Sequence, residues 1–246
     1  MENSKKEYFE SLMHFIGYGN PNGNYWFIGL DEHFKISDNN EEIWKQELTR
    51  LNIYRHKYES TMGLYSLSFE DFKDFYNKYD NLKNESNNDP TTKGICEIMQ
   101  VLGYPYATED LWKENSQVFI TNLFPFGRGN SNSGFNKFTQ KYIFNGNTFN
   151  EWFPFWEERK KLLYRFIDEF MNKEKKTKII CFGVSYISWF EQLFFNFNKD
   201  IKLAKNDCVH SNKMDIYLIY HPSRWNRNKK LFTVEKIRKI FVNKRS

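Results

Sequence analysis

Four short apolar runs constrain this chain more than any other feature. Tyr25 to Gly29, Gln117 to Asn122, Ile179 to Phe182 and Ile216 to Tyr220 each have strand length and almost no charge. Stretches long enough to hold helices separate them. Apolar residues recur at three and four within those stretches: Ile95, Ile98, Met99 and Leu102 before Gly103; Leu162, Leu163, Phe166, Ile167 and Phe170; Ile187, Phe190, Leu193 and Phe194; and Val234, Ile237, Ile240 and Phe241. Buried strands alternating with long helical crossovers predict an α/β fold with a mostly parallel sheet. The expectation is a three-layer sandwich, with a central four-stranded sheet and helices on both faces. Residues 4–16 also carry helical spacing, followed by a glycine- and asparagine-rich loop over 17–24. Helical pieces at 40–52 and 69–80 belong to an insertion at about 31–92. Residues 1–246 thus read as one domain carrying that insertion.

Composition narrows the class. Apolar residues make up 40% of the 246 and charged residues 27%, as in a soluble globular protein. Aromatic residues are heavy, with 25 Phe, 15 Tyr and 7 Trp, which implies a Phe-packed core with rings to spare for stacking. The net charge of +5 is compatible with an anionic partner. No apolar run reaches the length of a membrane span, and the first residues lack the apolar core of a secretion signal. Cys96, Cys181 and Cys208 are widely separated and odd in number, which fits reduced thiols in a cytoplasmic protein. No Cys-x-x-Cys pair argues for a structural zinc or an iron–sulfur cluster, so no cofactor is expected.

Three of the four runs end in unusual polar groups. The first leads into Asp31, Glu32 and His33, the second ends at Asn122, and the fourth opens into His221-Pro222-Ser223. Parallel strands share a carboxyl edge, and open α/β sheets bind ligands there. A carboxylate can orient a water or offset developing positive charge. An asparagine amide offers both a donor and an acceptor. An imidazole can donate to an oxygen that gains charge as a leaving group departs. Such a set suits hydrolysis of an N-glycosidic bond, with a cation-like sugar on one side and an anionic base on the other.

The segments Gly29-Leu30-Asp31-Glu32-His33, Ile120-Thr121-Asn122 and His221-Pro222-Ser223 resemble, in order, the three motifs of the uracil-DNA glycosylase superfamily. The resemblance spans residues 25–225 and rests on short motifs. It implies that Asp31 activates water, with Glu32 a rival for that task. It implies too that Asn122 reads the base and that His221 stabilises the departing base anion. Ser223, Arg224 and Trp225 then lie in the loop that presses on DNA while a nucleotide flips, Arg224 holding a phosphate and Trp225 filling the vacated stack. In the uracil-specific branch a proline and a tyrosine follow the aspartate. Here Glu32 and His33 stand there, which removes the tyrosine that rejects thymine and puts His33 beside the base. The iron–sulfur branch needs four cysteines. Some members excise other bases, among them antiviral glycosylases acting on bulky modified cytosines of phage DNA.

The expected activity is therefore a monofunctional, metal-independent DNA glycosylase acting as a monomer on a flipped pyrimidine, more a modified base than uracil. Phe34, Phe124 and Phe126 are candidates to stack on that base, since pocket stacking must offset the few kcal/mol of extrusion. From Arg224 to the end, nine Lys or Arg face a single acid, Glu235. Arg224 and Arg227 are candidate phosphate contacts there, as is Arg128 in the glycine-rich loop 127–134. Three other readings fit parts of the pattern: a uracil repair enzyme, a catalytically inactive DNA-binding relative, and a metal-dependent hydrolase using Asp31, Glu32, His33 and His221.

Overall fold

The computed structural model describes residues 14–31, 65–67, 90–113, 115–124, 153–171, 176–211, 213–221 and 234–241. In chain order the elements are β1 (Phe15–Gly19), β2 (Tyr25–Asp31), β3 (Tyr65–Leu67), α1 (Pro90–Val101), β4 (Val118–Phe124), α2 (Phe153–Met171), β5 (Thr177–Phe182), α3 (Ile187–Phe194), β6 (Asp207–His210), β7 (Met214–Ile219) and α4 (Val234–Phe241). The fold is α/β, with a mixed sheet in the order β3-β1-β4-β2-β5-β7-β6.

All four expected strands form and are consecutive neighbours. β2 pairs parallel with β5, Trp26 facing Ile179 and Ile28 facing Cys181. β5 pairs parallel with β7 from Thr177 and Met214 to Phe182 and Ile219. The Tyr25 N–H donates to the Gln117 carbonyl at 3.0 Å. Four residues further along both strands, Gly29 lies against Thr121 and Asn122, so β2 and β4 are parallel too. These strands read as unbroken apolar runs because both of their faces are buried.

The four-stranded expectation falls short by three strands. Phe15-Ile16-Gly17-Tyr18-Gly19 is β1 and not the end of a helix, and it runs antiparallel to β4: Asn20 N–H donates to Val118 C=O at 2.9 Å, and Thr121 Oγ1 donates to Ile16 C=O. β6 is antiparallel to β7, and its residues are only partly buried, so no apolar run announced it. β3 lies in the expected insertion and adds to the β1 edge. The helices expected at 40–52 and 69–80 lie outside the described residues. α1 begins at Pro90, since a proline suits the first helical position.

The chain divides into two compact units, one of Met1–Gly17, Gly29–Leu67 and Thr121–Glu169, the other of Tyr18–Ile28, Ser68–Ile120 and Phe170–Ser246. The first unit is built on α2. Trp156, Arg159, Leu163, Phe166 and Ile167 are all buried, at the spacing of one helix face. Trp156 meets Phe124 with ring centroids 5.3 Å apart. Arg159 is 1% exposed, and its guanidinium donates to the carbonyls of Phe15 at 2.9 Å and Leu123 at 3.3 Å. That one side chain ties α2 to β1 and β4.

In the second unit, α1 and α4 supply Ile95, Ile98, Met99, Ile240 and Phe241 to a core shared with Tyr25, Phe27, Ile180, Phe182, Tyr217 and Ile219. Phe241 packs on Tyr217 at 4.6 Å. Cys96 borders this core. Burial, then the charges of Asp110 and Glu97, push its thiol from 9.0 up to about 11. Burial also raises Cys181 and Tyr217. All three stay neutral in the fold at a pH where the unfolded chain ionises. For Cys96 that stabilisation is complete below pH 9.0 and is lost as the pH rises through about 11. Urea midpoints measured across that window should fall steadily, and Cys96→Ser should flatten part of the slope; an unchanged slope in that variant refutes the assignment to Cys96.

Candidate functional site

The first unit brings two of the sequence signatures together. Gly29 and Asn122 lie side by side near the carboxyl ends of β2 and β4. The Asn122 amide rests over the bare Cα of Gly29, where a Cβ would collide with its Oδ1. Only glycine leaves that space, which explains a glycine inside a buried strand. Asn122 itself is half-buried. Asp31 closes β2 two residues after Gly29.

This contact makes a prediction. The group that a new methyl displaces is the end of a side chain and can swing aside. Gly29→Ala should therefore cost about 1 kcal/mol or less, below the ~1–3 kcal/mol typical of overpacked cores. It should nevertheless abolish whatever Asn122 does in that position. Urea unfolding and a functional assay, run beside Asn122→Ala, check this: Gly29→Ala should match Asn122→Ala in function while keeping near-native stability. A fully active Gly29→Ala refutes it.

The second unit holds His221. The Gly183 N–H donates to the Ile219 carbonyl at 2.9 Å, tying the ends of β5 and β7 together. His221 follows two residues after Ile219 and is half-buried. Its ring stands edge-on to Phe182, at 5.9 Å and 63°. Phe182 is in turn fixed against Phe27 at 5.6 Å. The imidazole is thus propped on the last core residue of β5. Gly183 turns the chain away at once with φ +102, and a Cβ there would stand 2.8 Å from the Tyr186 ring. A side chain at 183 would meet both a strained backbone and that ring.

Of the other expected site residues, Phe124 is corrected. It is 2% exposed and packed on Trp156, so it belongs to the core and offers no platform to a base. Its place as the last residue of an apolar strand gave it the look of a pocket residue. Glu32, His33, Phe34, Phe126, Arg128, Ser223, Arg224, Trp225 and Arg227 lie outside the described residues, as does the side chain of Asp31. The fold also pairs His210 with Asp215 beside Cys208, a cluster that the sequence did not single out. The signal was present as alternation, Cys208 and His210 on one strand and Asp215 and Tyr217 on the next, but β6 carries too little apolar character to be recognised.

No described helix is long and apolar enough to cross a membrane. No protein-family model matches the chain, and no curated protein matches its sequence.

Proposed function

We propose that this protein is a DNA glycosylase of the uracil-DNA glycosylase type, hydrolysing the N-glycosidic bond of a flipped-out pyrimidine. The base is a modified one, with bulky modified cytosine the leading candidate and antiviral defence the corresponding role. The observation that carries the reading is the Asn122 amide lying on Gly29. It joins the first and second motifs at the carboxyl ends of neighbouring strands, the edge at which parallel sheets bind ligands. Strand order adds support. Among the parallel strands β4-β2-β5-β7, the chain visits the second position first and the first position second, as in one common doubly wound order.

The chemistry follows from the residue types. As the C1′–N bond breaks, the electron pair leaves with the base and the sugar becomes cation-like. The Asp31 carboxylate, or Glu32 beside it, offsets that positive charge and orients the water that adds to C1′. Asn122 reads the polar edge of the base with one donor and one acceptor. His221 donates to the base oxygen on which negative charge collects. With Glu32 and His33 in place of a proline and a tyrosine, the first motif lacks the wall that would confine the pocket to uracil.

The test is incubation with duplex and single-stranded oligonucleotides in EDTA. The substrates carry uracil, mismatched thymine, or hydroxymethylated and glucosylated cytosine. Alkaline cleavage reports abasic sites and mass spectrometry identifies the freed base. Release of a modified cytosine above the unmodified control is expected. Absence of both abasic product and free base on every substrate overturns the assignment.

A further inference from the structure

We infer that the β6–β7 hairpin binds a divalent metal ion of the zinc class through Cys208, His210 and Asp215. Across the antiparallel pair, His210 faces Asp215 and Cys208 faces Tyr217. Residues two apart on a strand share a face, so these four side chains form a square on one side of the hairpin. Cys208 Sγ lies 3.7 Å from His210 Nδ1, and that nitrogen lies 2.7 Å from Asp215 Oδ1. All three donor atoms fall within 4.8 Å of one another.

The separations suit a tetrahedral ion. Bonds of about 2.3 Å to sulfur and about 2.0–2.2 Å to nitrogen and oxygen set donor atoms roughly 3.3–3.6 Å apart. The sulfur–nitrogen distance is already close to that range. The nitrogen–oxygen distance is that of a hydrogen bond, and it opens by about 0.6 Å when a cation replaces the shared proton. One thiolate, one imidazole and one carboxylate form a mixed donor set that zinc accepts, leaving a fourth position for water. Because both sulfur and carboxylate meet the same nitrogen, Nδ1, the three groups do not form a nucleophile–base–acid relay, which needs both nitrogens of the imidazole.

The surroundings favour occupancy. Tyr217 is buried and stands across the hairpin from Cys208, which closes that side of the cluster to solvent. The His210 side chain is 55% exposed, which gives an ion a way in. Lys176 Nζ now stands 2.6 Å from Asp215 Oδ1 and is 39% exposed. It supplies positive charge where the ion would, and it is free to swing into solvent. Asp215 lies near the amino end of β7, whereas His221 follows its carboxyl end, so the hairpin is separate from the glycosylase residues proposed above.

The full chain, stripped of metal with a chelator and dialysed, is titrated with Co²⁺ and then Zn²⁺. One equivalent of Co²⁺ should bind with the visible absorption of a tetrahedral ion and a thiolate-to-cobalt charge-transfer band, and Zn²⁺ should bleach both. Cys208→Ser should lose the charge-transfer band, and Cys96→Ser should keep it. His210→Ala, a change at an exposed side chain that leaves the fold intact, should weaken binding by about tenfold or more. Lys176→Met should tighten it, because the competing cation is gone. The inference is overturned if the wild-type chain shows no saturable cobalt signal, if the band survives Cys208→Ser, or if His210→Ala binds like wild type.

Discussion

Replacing Arg159 by alanine should lower the unfolding free energy by about 3–6 kcal/mol, the sum expected for two hydrogen bonds from a charged donor inside the core. Arg159 is 1% exposed and reaches the Phe15 and Leu123 carbonyls from α2. Alanine leaves both carbonyls without this donor and opens a cavity beside Trp156. Lysine keeps the charge but offers a single point of donation in place of a fork, so Arg159→Lys should recover only part of the loss. Urea unfolding followed by circular dichroism separates the three proteins. An alanine variant within 1 kcal/mol of wild type, small beside the ~1.5–3 kcal/mol of one such bond, would show that this guanidinium is not what joins α2 to the strands.

On the glycosylase mechanism proposed above, His221→Ala should slow base release by ~10²–10³, the range found when one oxyanion donor is removed from other enzymes. DNA affinity should change little, because the imidazole acts on charge that appears only as the bond breaks. His221→Gln keeps an N–H donor and should regain part of the rate. Phe182 props the ring from below at 5.9 Å, so Phe182→Leu should reduce the rate to a smaller degree. Single-turnover kinetics on the best substrate, with binding measured separately, provides the comparison. Equal rates for wild type and His221→Ala would remove this residue from the mechanism.

How far the sequence could be read follows from burial. β2, β4, β5 and β7 were visible because both faces of each are packed, which makes their residues almost uniformly apolar. β6 was invisible for the opposite reason: Asp207 to His210 sit at the sheet edge, only partly covered, and the composition matches a loop. β1 was hidden because Phe15 and Ile16 continue the spacing of the preceding residues, and only pairing with β4 decides between helix and strand. Asn122 and His221 could be picked out because a polar group ending a buried run needs a reason to be there. Phe124 could not be sorted in the same way, since a ring at a strand end serves a core and a pocket equally well. Arg159 left no trace at all in the sequence, being one basic residue among several on a charged helix.

The bare Cα of Gly29 ties two positions into one heritable unit. A side chain at 29 pushes the amide of 122 out of its place, and a shorter residue at 122 removes that amide altogether. Either change loses the same interaction, so neither position can vary while the other keeps its role. Functional variants of this chain should therefore leave the pair untouched.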